Sequence, residues 1–276
     1  MTTPNKTVLT EQHAFDPTKT FTCGQCFRFQ PKQGGFFGIA GGREIFVSGD
    51  KTETVLFCPA EDFESFWREY FDLDRSYDAL RALAAGDPFL EAATEFGDGI
   101  RLLRQEPFEA LCTFIISQCN NIPRIAGIVE RLAQHFGTPI GSGFAFPAPH
   151  ALASLSLEAL APLRAGYRAP YLLAAAQAVA SGTLDLAFLS DPDLPLDEVR
   201  KKLMTLPGVG RKVADCVLLF GLGRWDAFPV DVWMQRALAQ YYPAGFKPER
   251  FPQAAGLFQQ YIFYYIRHLS KAHAVT

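Results

Sequence analysis

The chain has 276 residues, 49% of them hydrophobic and 13% aromatic with 25 Phe, enough for one large packed domain or two small ones and contrary to a disordered chain. A formal net charge of −3 excludes a polycation, so any attraction to nucleic acid must come from a local basic patch. No stretch reaches the ~18 uninterrupted apolar residues of a membrane span, and Met1 to Asp16 is polar where a secretory signal would be apolar, so the expected compartment is reducing and intracellular: cytoplasm or nucleoid in a bacterium, nucleus in a eukaryote.

In chain order, the first third reads as β-strand. Thr20 to Gln30 is rich in Phe and Thr, Phe36 to Val47 carries Gly41-Gly42 as a two-residue turn between apolar runs, and Thr52 to Phe57 adds a further short run. An antiparallel meander fits. From about Glu61 the pattern becomes helical, with Phe63, Phe66, Trp67, Tyr70 and Phe71 at helical spacing. Arg124 to Phe136 places Ile125, Ile128, Val129, Leu132 and Phe136 on one face, with Pro123 ahead and Gly137 behind as start and stop signals. Pro170 opens another such segment and Gly182 closes it. A Pro- and Gly-rich break over Gly137 to Pro149 divides two helical groups. The expected fold class is α+β, a small antiparallel sheet followed by a helical body of two lobes with a cleft between them.

Six cysteines are present, and Cys23 and Cys26 form a lone C-x-x-C with no second pair at zinc-ribbon spacing. Buried thiols are the simpler reading. The five histidines, at 13, 135, 150, 268 and 273, are scattered, and no metal or organic cofactor is expected.

The segment Asp197 to Gly221 carries the most information. It reads as a helix to Thr205, a tight turn Leu206-Pro207-Gly208-Val209-Gly210, and a second helix from Arg211 to Phe220. Gly208 and Gly210 permit positive φ and expose bare N–H groups, and the following helix adds its positive end, so the turn suits a phosphate. Arg200, Lys201, Lys202, Arg211 and Lys212 crowd it, with no acid between 200 and 212. Such a hairpin grips a DNA backbone without reading sequence. A turn between two packed helices with a solvated charge cluster is the plainer alternative.

Lys212 lies in the first turn of a helix, where the helix dipole and Arg211 favour the uncharged, nucleophilic amine. Taken alone, it reads equally well as a lysine facing solvent or a phosphate. A segment one helix downstream separates the two. In Phe228-Pro229-Val230-Asp231-Val232-Trp233, Asp231 precedes a helical run from Trp233 to Tyr241; it suits a helix N-cap, and its carboxylate can also stabilise positive charge developing on a sugar ring.

With Lys212 and Asp231 paired in this way, the sequence resembles the 8-oxoguanine DNA glycosylase/AP lyase family of the helix–hairpin–helix DNA glycosylase superfamily. Leu206-Pro207-Gly208-Val209-Gly210-Arg211-Lys212-Val213-Ala214-Asp215-Cys216 and Phe228-Pro229-Val230-Asp231-Val232 are similar to its active-site signature. Gly24 to Arg28, Asn120 to Ile125, Gly166-Tyr167-Arg168 and Ala255 to Phe263 match in the same order.

The resemblance implies a TBP-like N-terminal domain over 1–90 and a helical glycosylase domain over 91–276. It further implies a monomer whose partner is double-stranded DNA containing oxidised guanine, with no membrane and no metal involved. Lys212 and Asp231 are then catalytic: the amine attacks the sugar C1′ of an extruded nucleotide, a Schiff base forms, and β-elimination ensues. The backbone carbonyl of Gly24 meets the N7–H that oxidation creates where guanine has an acceptor. The purine lies between Cys216 and Phe263, residues that singly read as core, while Gln259, singly a surface amide, reads its Watson–Crick edge. Tyr167 fills the vacated stack, and Arg124 and Arg168 read the orphaned cytosine. Asn120, Asn121, Gly208, Gly210 and Arg211 contact DNA. Where the family usually has three asparagines, the first place here is Cys119, so a strict preference for cytosine does not carry over. Trp233 stands where animal members carry a histidine.

The competing readings are a monofunctional alkylpurine glycosylase, which keeps the aspartate but lacks the lysine, and a non-catalytic hairpin protein, which needs neither. No cysteine lies beyond 216, which argues against the iron–sulfur branches of the superfamily.

Overall fold

A computed structural model describes residues 5–10 and 13–275. Five strands, β1 (Asn5–Thr10), β2 (Phe29–Lys32), β3 (Gly35–Ala40), β4 (Arg43–Gly49) and β5 (Glu53–Cys58), form one antiparallel sheet in the order β1-β5-β4-β3-β2. Gly41 and Gly42 make the two-residue turn of β3–β4 with φ of +54° and +69°, the positive pair that a hairpin of natural twist requires. β1, in a stretch that reads only as polar, is the far edge of the sheet against β5.

The expected strand from Thr20 to Gln30 is not formed. Asp16 caps a short helix, α1 (Pro17–Thr22), by accepting from the Lys19 amide at 2.9 Å, with Pro17 at its first position. These start signals outweigh the β-propensity of Phe and Thr. Residues 23–28 then form an irregular loop, and only Phe29 and Gln30 join the sheet. Phe63, Trp67, Tyr70 and Phe71 lie on a helical stretch containing one π-helical turn (Phe63–Trp67), and they close the sheet's inner face together with Phe15, Phe21 and Phe29.

The remaining body is helical: α2 (Pro88–Phe96), α3 (Pro107–Ile116), α4 (Ile122–Phe136), α5 (Ala169–Ala180), α6 (Leu196–Leu203), α7 (Arg211–Phe220), α8 (Val232–Tyr241) and α9 (Ala255–Val275), with short turns between. Their buried apolar side chains, from Tyr77 to Ile266, form one continuous cluster that also takes in Cys23 and Phe27. None of the described helices is long and apolar enough to cross a membrane.

The break over Gly137 to Pro149 holds a two-stranded ribbon, β6 (Pro139–Ile140) and β7 (Gly143–Phe144), docked on the N-terminal sheet. Ser142 donates to the Glu44 carboxylate through its amide (2.6 Å) and its hydroxyl (2.9 Å), and Arg28 bridges the Phe144 carbonyl and Glu130. Pro and Gly here serve a tight tip at Gly141, φ +47°.

Candidate active site

The hairpin forms where the sequence places it, α6–turn–α7. Of its two glycines, only Gly208 uses a left-handed conformation (φ +76°), and a Cβ there would sit 2.3 Å from the Tyr171 ring. Gly210 is extended (φ −89°, ψ 179°), caps α7 without a side chain, and has nothing within 4 Å of where a Cβ would be. Among the described residues no contact requires glycine at 210; an open surface and the N–H groups of a helix start do suit close approach by an external anion.

The basic cluster is smaller than the sequence suggests. Lys201, Lys202 and Arg211 are exposed, but Arg200 is buried, 2.5 Å from the Asp215 carboxylate and paired with Asp197. Burial pushes the Asp215 carboxyl up while Arg200 opposes it. Arg200 therefore joins α6 to α7 and does not face solvent, because an exposed carboxylate and a buried one on adjacent helices leave its guanidinium no better partner.

Lys212 is half-buried on the first turn of α7. Its Nζ donates to Ser117 Oγ at 3.2 Å and lies 5.5 Å from the Phe114 ring centroid, so the amine points inward to the end of α3. Cys216 comes one turn later, 4% exposed. Burial pushes its thiol up to about 11; Lys212 acts against this, and the carboxylates of Asp215 and Asp231 act with it, which gathers Lys212, Cys216 and Asp231 in one neighbourhood. Asp231 caps α8, its Oδ1 accepting from the Met234 amide at 2.9 Å, and remains half-buried.

A second group is held by α9 and the 23–28 loop. Gln25 is fully buried; it donates to the Arg101 and Thr20 carbonyls and accepts from the Leu103 amide, and these bonds clamp the loop. Gln260 donates to the Cys23 carbonyl at 2.8 Å, tying the loop to α9. Gly24 is thereby held at φ +91°, where a Cβ would lie 3.4 Å from the Phe263 ring, 3.6 Å from Arg267 and 3.7 Å from Ile122. Among the described residues its carbonyl accepts no hydrogen bond. One turn before Phe263, Gln259 is 6% exposed and its Oε1 is buried with no partner. A buried acceptor left unpaired costs about 1–3 kcal/mol, so the Gln259 oxygen suits a donor brought from outside, while Gly24 is half-buried.

The loop after α3, the start of α4 and the turn Gly166–Arg168 carry the third group. Cys119 is exposed and strained at φ +44°. Tyr167 is 51% exposed with its hydroxyl 3.3 Å from the Gln118 carbonyl. Arg168 is 2% exposed; its guanidinium donates to the carbonyls of Gln118 (2.9 Å), Cys119 (3.1 Å) and Ala165 (3.2 Å) and stacks on the Tyr167 ring. Asn120 donates to the Ile116 carbonyl, and Asn121 caps α4 through the Arg124 amide. Arg124 is exposed.

A cavity of about 850 Å³ is bounded by Arg211, Lys212, Phe228, Leu238 and Phe246, and its lining does not include Cys216, Gln259 or Phe263. Sequence reasoning missed Ser117, the hydrogen-bond partner of Lys212, and Ile122 and Arg267, which flank Gly24. Ile122 falls inside the matched Asn120–Ile125 stretch but nothing local ties it to Gly24, and Ser117 and Arg267 have no local pattern; proximity across distant elements marks all three.

Sheet, helical body and hairpin together define the helix–hairpin–helix base-excision repair class. Residues 7–111 match the N-terminal domain of 8-oxoguanine DNA glycosylase, and residues 112–255 match the HhH-GPD superfamily of base excision DNA repair proteins. The chain is 36% identical to MBOgg1, solved with a low-affinity DNA ligand, over 98% of this chain and 100% of that one, with a TM-score of 0.89. It is 32% identical to the Clostridium acetobutylicum 8-oxoguanine glycosylase/lyase, solved with double-stranded DNA containing cytosine opposite 8-oxoG, over 98% and 99% of the two chains, again with a TM-score of 0.89. It is also 41% identical over 158 residues to the N-glycosylase/DNA lyase of Saccharomyces cerevisiae, a match covering 52% of this chain but only 42% of the yeast protein. The chain belongs to the 8-oxoguanine DNA glycosylase family of this superfamily.

Proposed function

We propose that the protein extrudes 8-oxoguanine from duplex DNA, cleaves its glycosidic bond, and then cuts the strand by β-elimination. The observation that carries this reading is the Lys212 amine: half-buried, bonded to Ser117 and one helical turn from Cys216 on α7. A lysine that only gripped phosphate would extend outward, as Arg211 does with 76% of its side chain exposed.

These positions set the chemistry. The free-base form of Lys212 directs its lone pair at C1′ of the extruded nucleotide, and the electrons of the glycosidic bond leave with the base, which takes up a proton. Asp231, held in place by its bond to the Met234 amide, offsets the positive charge that builds on the sugar. Ring opening leaves a Schiff base between Nζ and C1′. Loss of a proton from C2′ then sends an electron pair to expel the 3′ phosphate.

Selection of the base is divided between two acceptors. Gln259 Oε1 is an unpaired acceptor suited to the donors on the Watson–Crick edge of a guanine, oxidised or not. The unpaired Gly24 carbonyl is suited to the N7–H of the lesion and repels the N7 lone pair of normal guanine. Cys216 and Phe263 supply the flanking surfaces. Exposed Tyr167 suits the gap in the stack and Arg124 the orphaned base, with Arg168 bracing the loop between them. Gly208, Gly210 and Arg211 hold the backbone, and Asn120 and Asn121 shape the loop that faces it.

Borohydride trapping tests this reading. Wild-type protein with an 8-oxoguanine:cytosine duplex should give a covalent adduct, and Lys212→Gln should give none. Equal trapping by both proteins refutes the assignment of Lys212. Efficient release of 3-methyladenine with poor release of 8-oxoguanine refutes the substrate.

A further inference from the structure

Gln259, Phe263 and Arg267 follow one another at four-residue steps on α9 and so share one stripe of the helix. The first presents a buried oxygen without a partner, the second a half-buried ring, and the third a guanidinium. Arg267 is itself half-buried, yet among the described residues it has no hydrogen bond and no ion pair, and α9 contains no Asp or Glu to supply one. Its Cζ lies 5.3 Å from the Phe263 ring centroid. Its Nη1 lies 3.6 Å from the point a Cβ on Gly24 would occupy, and the Phe263 ring lies 3.4 Å from the same point. The cation is therefore gathered at Gly24, whose carbonyl is also without a hydrogen bond among the described residues.

Oxidation alters guanine at two adjoining atoms: N7 gains a hydrogen and becomes a donor, and C8 gains an oxygen, which is an acceptor. This edge has the donor–acceptor order of a cyclic amide. An acceptor and a donor side by side match it, and the Gly24 carbonyl and the Arg267 guanidinium are such a pair. Undamaged guanine has a lone pair at N7 and only a C–H at C8, so it repels the carbonyl and gives the guanidinium no oxygen. We infer that Arg267 is a specificity-determining contact that donates to the C8 oxygen of the extruded lesion while the Gly24 carbonyl accepts from N7–H. This rests on the base-extrusion reading and deepens it, since the lesion is then selected through both of the atoms that oxidation changes. The same bond opposes the negative charge that the base acquires as the glycosidic electrons leave with it.

Arg267→Met removes the donors and keeps a long side chain against Phe263, and Arg267→Lys keeps a cationic donor. Single-turnover excision of 8-oxoguanine should slow about tenfold or more in Arg267→Met, the size expected for one hydrogen bond from a charged donor, and Arg267→Lys should be faster than Arg267→Met. In a Lys212→Gln background, Arg267→Met should lower the preference for an 8-oxoguanine duplex over a guanine duplex by about the same factor. A duplex with a ready-made abasic site has no base to contact, so Arg267→Met should cleave it at the wild-type rate, and a tetrahydrofuran duplex should bind with unchanged affinity. The inference is overturned if Arg267→Met excises 8-oxoguanine like wild type or if Arg267→Lys is as slow as Arg267→Met. It is also overturned if abasic cleavage and tetrahydrofuran binding fall as far as excision does, which would place the guanidinium on a backbone phosphate. Failure of the underlying function looks different: wild type itself then releases no 8-oxoguanine.

Discussion

Glu109 offers a test of the energetics that join the N-terminal sheet to the helical body. It lies on α3, 6% exposed, and burial pushes its carboxyl up to about 7 while Arg28 opposes the shift. The Cys26 thiol and Tyr70, packed near it, are likewise pushed up by burial. A folded-state value above the unfolded one means that the native protein binds the proton more tightly, so this contribution is fully present below about pH 4.5 and is lost as pH rises through 7. At 1.36 kcal/mol per unit the shift corresponds to about 3 kcal/mol as a ceiling, and relaxation around a charged carboxylate reduces it to about 1–2 kcal/mol. Glu109→Gln keeps the shape and removes the titration. Urea unfolding of both proteins at pH 5 and pH 8 should show the variant gaining on wild type by that amount at the higher pH, with Arg28 still paired to Glu130. A difference between the two proteins that does not change from pH 5 to pH 8 would refute the reasoning, since it would mean that the carboxylate is stabilised in place.

Two further predictions separate structure from chemistry at the proposed site. Asp231→Asn keeps a good helix cap but removes the charge, so thermal stability should hold within about 0.5 kcal/mol while the single-turnover excision rate falls by about a hundredfold or more; Asp231→Ala should lose about 1 kcal/mol of stability as well. At the hairpin, Gly208→Ala meets both a positive φ and the Tyr171 ring and should destabilise the fold by more than about 1 kcal/mol, whereas Gly210→Ala should leave stability unchanged and weaken binding to duplex of any sequence, measured by anisotropy.

Much of the fold and of the proposed site is legible in the sequence because its signals are local. Arg211–Phe220 begins and ends where the hairpin and its apolar run say it should, and Gly41-Gly42 turns the chain where two short apolar runs meet. The failure at Thr20 to Gln30 is also local: an Asp-Pro start overrides β-propensity, and the resulting loop frees Gly24 from any ladder. Other features have no local trace. Arg200 and Arg211 are both basic and adjacent to the same turn, yet one is buried against Asp215 and the other faces water. Arg168, whose neighbours in sequence give no sign of burial, is 2% exposed and donates to the carbonyls of Gln118 and Cys119.

By itself the sequence determined the residue types of the proposed site, the hairpin that carries Lys212 and the cap that carries Asp231, because turns and caps are written in a few consecutive residues. Tertiary structure alone decided that the amine reaches Ser117, that Gly24 lies against Phe263, and that the Gln259 oxygen is buried without a partner. Those outcomes depend on how α3, α7, α9 and the 23–28 loop pack, and packing joins positions far apart in the chain whose spacing carries no periodic signal.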